Sequence, residues 1–311
     1  MKLAYNTDSL GHLNFEEMLE ECEKLGIKYL EIATGGWSKS PHINVEELLA
    51  DEEKLEAYKK KIDEKNMEII ALNCSGNHLA DNELGERDMK NVLNTFKLAK
   101  LFNVKKIVMM SGLPCGCKGD KTPVWVTTSW PPETQEVLNY QWNEVAIPKW
   151  KELVGFAKEC GIERIAIENH PYQLVYSVET MYRLRDAVGD IVGMNLDPSH
   201  MFWMNCDPIA AARALKGAIY HVHGKDSRIE KVYCDREGVL DTKTIDKFAD
   251  RSWNFVAVGC GHDLQWWREF FSIVKMSGYD EYIALEMEDL TMSVEAGIKT
   301  SLDILNQSIC K

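Results

Sequence analysis

Several features common in other protein classes are missing from this chain. Its 311 residues contain no C-x-x-C pair, no glycine-rich G-x-G-x-x-G turn, no linker rich in Pro, Gly or Ser, and no short internal repeat. No apolar run approaches the roughly 18 residues that a membrane-spanning helix needs, so no membrane partner is expected. The opening "MKLAY" runs straight into polar residues, so no secretory leader is expected either. Positive charge is scarce: 36 Lys and Arg stand against 49 Asp and Glu, a formal charge of −13. Such a surface repels phosphate backbones and argues against nucleic-acid binding. The nine cysteines are scattered and odd in number, as expected for reduced thiols in a cytoplasmic protein. Cys115 and Cys117 in "PCGCKGD" lack the second pair that a zinc site requires.

What is present is a rhythm. Short apolar strands are expected at 2–6, 28–33, 67–73, 105–111, 164–168, 192–197, 219–223 and 282–286. A helical stretch follows each: 15–25, a long Lys/Glu-rich 45–66, 92–102, 144–160, 178–188, 208–215, 264–276 and 293–305. Strand then helix, eight times in about 300 residues, is the size of a single (β/α)8 TIM barrel, an α/β fold, spanning 1–311 as one domain. The doubly wound rival would carry its glycine-rich turn after the first strand, where this chain has "NTDSLGHL". Two connections, at about 112–142 and 224–263, are too long for simple turns. Both follow strands, which places them on the C-terminal face where barrel active sites lie.

Strands of a parallel barrel should be apolar throughout, yet four of these finish on a metal-ligand type. The fifth ends at Glu168 in "IAIE", the sixth at Asp197 in "MNLD", the seventh at His223 in "YHVH" and the eighth at Glu286 in "IALE". Adjacent strands bring such ends together, and three carboxylates with one imidazole need a cation among them. Three oxygens and a nitrogen suit Mn²⁺, Mg²⁺ or Co²⁺, with Fe²⁺ or Zn²⁺ as further options. Alternation along an extended run would put Ala166, Glu168 and His170 on one face, and likewise His221 and His223. Asn195 would lie one layer below Asp197 as a supporting hydrogen-bond partner. Asn73 and Ser111 close the third and fourth strands. His12 and His42 read as surface residues, and packing accounts for at least one of Trp266 and Trp267.

"IAIENHP", "NLDPSHMFW", "YHVHGKDSR", "SWNFVAVGCGHDLQWW" and "GYDEYIALEMED" together resemble the xylose-isomerase-like TIM-barrel family of sugar phosphate isomerases and epimerases. The resemblance runs from the first strand to the last helix and is densest over 165–289. It implies one divalent metal, Mn²⁺ first, on Glu168, Asp197, His223 and Glu286. His223 is taken over His221 because it stands just before "GKD". The resemblance also implies an imidazole beside the sixth-strand ligand, matched here by His200.

Chemistry in this family begins with removal of a proton α to a carbonyl, which a divalent ion polarises. His170, two residues past Glu168, is the expected base, and Glu168 and Glu286 match a catalytic glutamate pair. Lys225, Asp226, Arg228, His262, His200 and Asn73 are the expected substrate contacts. Family epimerases carry a Glu and an Arg some six residues past the fifth- and seventh-strand ligands. This chain has Leu174 and Ile229 there, with Arg228 one place early, so its grip on substrate differs. A closer likeness is to the α-subunits of C-glycoside deglycosidases, lyases that break a C–C bond in 3-keto-C-glycosides. That implies a small-molecule keto-glycoside substrate and an oligomer that includes a different, small β-subunit. The Trp-bearing 112–142 connection would suit an aromatic aglycone or such a partner. Isomerase/epimerase activity and inosose dehydratase-like loss of water are the alternatives. Endonuclease IV-like repair would need a basic face and ligands for three zinc ions, and a non-catalytic sugar-binding barrel would have no use for four ligand positions.

Overall fold

A computed structural model describes residues 1–310. Ten strands follow one another along the chain: β1 (Lys2–Asn6), β2 (Tyr29–Ala33), β3 (Glu68–Asn73), β4 (Lys106–Met109), β5 (Arg164–Glu168), β6 (Val192–Leu196), β7 (Ile219–Gly224), β8 (Asp226–Ile229), β9 (Trp253–Val256) and β10 (Tyr282–Leu285). Eight close a parallel barrel in the order β1-β10-β7-β6-β5-β4-β3-β2, while β8 and β9 form an antiparallel pair of their own. These eight are the strands the sequence rhythm marks out, each within two residues at either end. Among the described residues no helix is long and apolar enough to cross a membrane. By its contacts the chain divides into two compact units, Leu13–Met194, and Met1–His12 with Asn195–Lys311.

In the first unit β2, β3, β4 and β5 pair in parallel, with Met109 of β4 opposite Ile167 of β5. All four residues of β4 are buried, as a strand covered on both faces requires. Helix starts are set by polar caps. Asn14 and Glu17 form a capping box, as do Ser177 and Thr180. The expected single helix over 45–66 is two, Val45–Ala50 and Glu52–Glu64. Asp51 is extended between them (φ −137°, ψ 104°), and its carboxylate accepts the Lys54 N–H as the second helix's cap. The helix expected at 92–102 begins earlier, as Glu83–Phe102, with Asn82 as its cap. The 112–142 connection ends in the helix Glu133–Asn139 and a π-helical turn, Tyr140–Ala146, that leads into Ile147–Glu159. Trp142 is buried there and Trp125 packs edge-on against Tyr176 at 5.6 Å, so packing occupies both. Only Trp130, 73% exposed, stays open.

In the second unit β10 pairs with β1 and with β7. The 224–263 connection is not an irregular loop. It is the β8/β9 pair with Asp226 opposite Val256, spanned by the helix Lys231–Glu237 and a 3-10 segment, Ile245–Asp250. The helix Leu264–Met276, capped by Asp263, turns Trp267, Phe270 and Phe271 into the core. His42 corrects an expectation: it is buried, and its carbonyl accepts the Tyr58 hydroxyl at 3.2 Å. His12 is exposed.

Candidate metal centre

Register builds the centre. Ala284 of β10 lies opposite His223 of β7, and the Glu286 N–H donates to the Gly224 carbonyl at 3.3 Å. Glu286, two residues past Ala284, returns to the same face as His223. Its Oε2 lies 2.7 Å from His223 Nδ1. Its Oε1 accepts from Lys225 Nζ at 2.9 Å. Burial opposes the charge on Glu286, but Lys225 and His223 outweigh it and hold the carboxyl well below the usual range.

Asp197 follows β6 and caps the short helix Pro198–Trp203, where its Oδ1 accepts the Ser199 N–H at 2.8 Å. Its Oδ2 is 3.5 Å from His200 Nε2 and 3.8 Å from His223 Nδ1. Burial again opposes the charge, and His200, His223 and Lys225 keep this carboxyl lowered. Burial pushes His200 down to about 4, despite the nearby Asp197, so its imidazole is neutral at pH 7. Asn195 Nδ2 stands 3.3 Å from both ring nitrogens of His223.

Glu168 ends β5 and is buried, and its carbonyl accepts the His170 N–H at 3.0 Å. The chain therefore turns after Glu168, and the extended run expected through His170 does not persist. His170 is half-buried, contacts the Pro171 carbonyl through Nδ1, and lies 5.2 Å from the Trp37 ring. Asp197, His223 and Glu286, all in the second unit, form a group able to hold a cation, each offering one ligand atom within 4.8 Å of the others.

The expected substrate contacts divide into engaged and open. Lys225, buried, bridges Glu286 and Glu288 (3.2 Å) and lies 4.5 Å over the Phe255 ring. Asp226 faces the returning loop: its carboxylate accepts the N–H groups of Ser227, Gly259, Gly261 and His262, and His262 Nδ1 lies 2.8 Å away. A Cβ at Gly261 would fall 2.3 Å from the Ser227 carbonyl, so that approach requires glycine. The His262 ring stacks on Phe202 at 3.6 Å. Arg228 turns to Glu230. Asn73 donates to Glu31 at 2.7 Å and accepts from Ser75. Two residues that the sequence reading passed over belong here, Glu288 and Phe255. Glu288 had a signal, since "EME" puts it two positions past Glu286 on the same side of an extended run.

A family model described as a xylose isomerase-like TIM barrel matches residues 19–308. The "Uncharacterized protein YfiH" of Bacillus subtilis (strain 168) is 57% identical over 311 residues, 99% of each chain. An "Inosose isomerase" of Halalkalibacterium halodurans is 27% identical over 100% of this chain and 97% of its own. The solved structure of an IOLI protein with a zinc atom covers 100% of both chains at TM-score 0.69 and 21% identity, a likeness of fold.

Proposed function

Because the chain belongs to the xylose isomerase-like TIM barrel family, we propose that it is a divalent-metal-dependent enzyme that removes a proton α to the carbonyl of a polyhydroxylated ketone. The observation that carries this reading is the Glu286–His223 pair, a carboxylate oxygen and a ring nitrogen 2.7 Å apart, with the Asp197 carboxylate 3.8 Å from the same nitrogen. Ligand atoms of these types set side by side fit a cation. The lowered carboxyls of Asp197 and Glu286 fit it as well. Glu168, Asp197, His223 and Glu286 would hold the ion, and Mn²⁺ is our assignment for an O3N donor set. When bound, it would polarise the substrate carbonyl and stabilise the charge that develops on its oxygen.

The protein's own groups do the rest. His170 takes the α-proton. Glu168 and Glu286 flank the reacting carbons. Lys225 fixes Glu286 by holding Oε1, so that Oε2 alone faces inward. His200, uncharged, can donate to or accept from a substrate hydroxyl without adding charge. Relatives named inosose isomerase, 27% and 29% identical, support a cyclic keto-polyol as substrate and an isomerase outcome.

A second reading shares the first step and differs in what leaves. The same enolate could expel water, as a dehydratase, or an aromatic aglycone, as a C-glycoside deglycosidase working with a small second subunit. Trp130, exposed in the 112–142 segment, favours the aglycone version. The deciding experiment incubates metal-loaded protein in D2O with inososes, ketoses and 3-keto-C-glycosides, with His170→Ala beside it, and follows the α-proton by NMR. Deuterium entering an inosose as its isomer appears, and lost in the variant, is the expected result. Release of an aglycone instead would establish the lyase, and no exchange with any substrate would overturn the enolisation chemistry.

A further inference from the structure

A cavity of about 250 Å³ lies in the second unit, where the 3-10 segment Ile245–Asp250 and β9 meet the stretch 287–294. That is room for a single-ring molecule. Its wall is mostly apolar, with Phe248, Phe255, Met287, Leu290 and Val294. One lining residue does not match that wall. Arg251 is a cation only 4% exposed. Its Nε and Nη1 donate to the carbonyls of Trp253 and Lys243, and its guanidinium lies 4.6 Å over the Trp253 ring. Its Nη2 makes no hydrogen bond and, unlike the unbonded atoms sealed in the interior, stays open to solvent. Among the described residues no carboxylate forms an ion pair with Arg251. The Asp241 carboxylate, which favours its charge from farther off, is engaged by Lys243 and the Ser252 N–H. A buried charge without a counter-charge is costly, so this one calls for an anion.

We infer that this cavity binds a small aromatic carboxylate, its ring against Phe248, Phe255 and Leu290 and its carboxylate on Nη2 of Arg251. Three arguments select that chemistry. Nη2 offers N–H donors and no acceptor, which suits an oxygen anion. Two phenyl groups in the wall suit an aromatic ring. Two carboxylates also line the cavity, Glu288 and Asp289, and they repel a dianion such as phosphate about twice as strongly as a monoanion. Neither of them serves Arg251. Asp289 accepts the N–H groups of Ala257 and Thr291 and the Thr291 hydroxyl, and Glu288 pairs with Lys225 at 3.2 Å. Phe255 and Glu288 both contact Lys225, which holds Glu286, so the cavity adjoins the proposed metal centre without containing its ligands.

The test is calorimetric titration of the full chain at pH 7 with benzoate, benzamide and inorganic phosphate. Saturable one-to-one binding of benzoate is expected. Benzamide has the same shape and no charge, and should bind roughly tenfold more weakly, since a charge-assisted hydrogen bond becomes a neutral one. Phosphate at the same concentration should not displace benzoate. Arg251→Met should abolish the preference for benzoate over benzamide, and Val294→Trp should abolish binding by filling the cavity. Val294 is half-buried at the start of the helix Val294–Ser308, so that variant carries the test if Arg251→Met fails to fold. The proposal is overturned by any of these results: no saturable benzoate binding, benzamide binding the native chain as tightly as benzoate, displacement by phosphate, a folded Arg251→Met that still prefers benzoate, or benzoate binding unchanged in Val294→Trp, which would place it elsewhere, at the metal centre for one.

Discussion

Glu286 divides its carboxylate between two tasks, Oε1 on Lys225 and Oε2 toward His223. Loss of the charge should therefore cost more than loss of a supporting group. Asn195→Ala removes an amide 3.3 Å from the His223 ring and should weaken metal binding by about 10–100-fold, the usual cost of an outer partner. Glu286→Gln should weaken it further. Competition with a chelator measures both, and equal affinities for the two variants would remove Glu286 from the ligand set. At this scale the sequence was legible wherever a polar residue interrupts an apolar strand, because burial without a partner is costly. That is why Glu168, Asp197, His223 and Glu286 stand out by eye. The grip of Lys225 on Glu286 and Glu288 was not legible, since a long flexible side chain does not reveal its direction from its position. Arg228 and Asn73 show the same limit. Their side chains are taken by Glu230 and Glu31, one a neighbour in sequence and the other 42 residues away.

Elements were easier to count than to bound. Eight strands and their helices follow from apolar period, but the break at Asp51 depends on one cap winning over continued helix in a run of strong helix formers. The β8/β9 pair was hidden because its strands are short, partly polar and separated by 23 residues of mixed helix and loop. Asp241 secures the base of that excursion. Its carboxylate accepts the N–H groups of Ser252 (2.8 Å) and Lys243 (2.9 Å), and its side chain is 2% exposed. Desolvation opposes the charge, yet these donors and the Lys243 ammonium hold the carboxyl at about 2 against the usual 3.8. A depressed folded-state value stabilises the fold above the unfolded value, and that stability is lost as pH falls through the folded one. The excursion should accordingly loosen between about pH 4 and pH 2, by roughly 2 kcal/mol. The protection factor of the Ser252 amide should fall over that window in the native chain. In Asp241→Asn it should be low and flat with pH, and a native profile in that variant would refute the clamp. Asp226 plays the same part at 257–262. Asp226→Ala strips four backbone N–H groups of a charged acceptor, so exchange at Gly259, Gly261 and His262 should rise at least tenfold at neutral pH.

For the whole molecule, the barrel was readable from repetition alone, because strand then helix eight times leaves few ways to cover both faces of a parallel sheet. The substrate was not, because specificity lies in connections whose conformation is set by contacts distant in sequence. One bulk measurement nevertheless bears on the entire site. Asp197 and Glu286 are held as anions at the centre, so a cation that binds the folded chain and not the unfolded one must raise its stability. A ligand at 100 times its Kd contributes about 2.7 kcal/mol. In a chain of this size that should move the Tm by roughly 4 °C. Mn²⁺, Zn²⁺ and Mg²⁺ added to chelator-treated protein should each raise the melting temperature, the tighter-binding ion by more and as the logarithm of its affinity, and EDTA should reverse the shift. Asp197→Asn should show a much smaller shift at the same ion concentration, since it removes one negative charge and leaves the shape. A native chain that melts at one temperature with every ion would mean that these carboxylates and His223 serve the fold and not a metal.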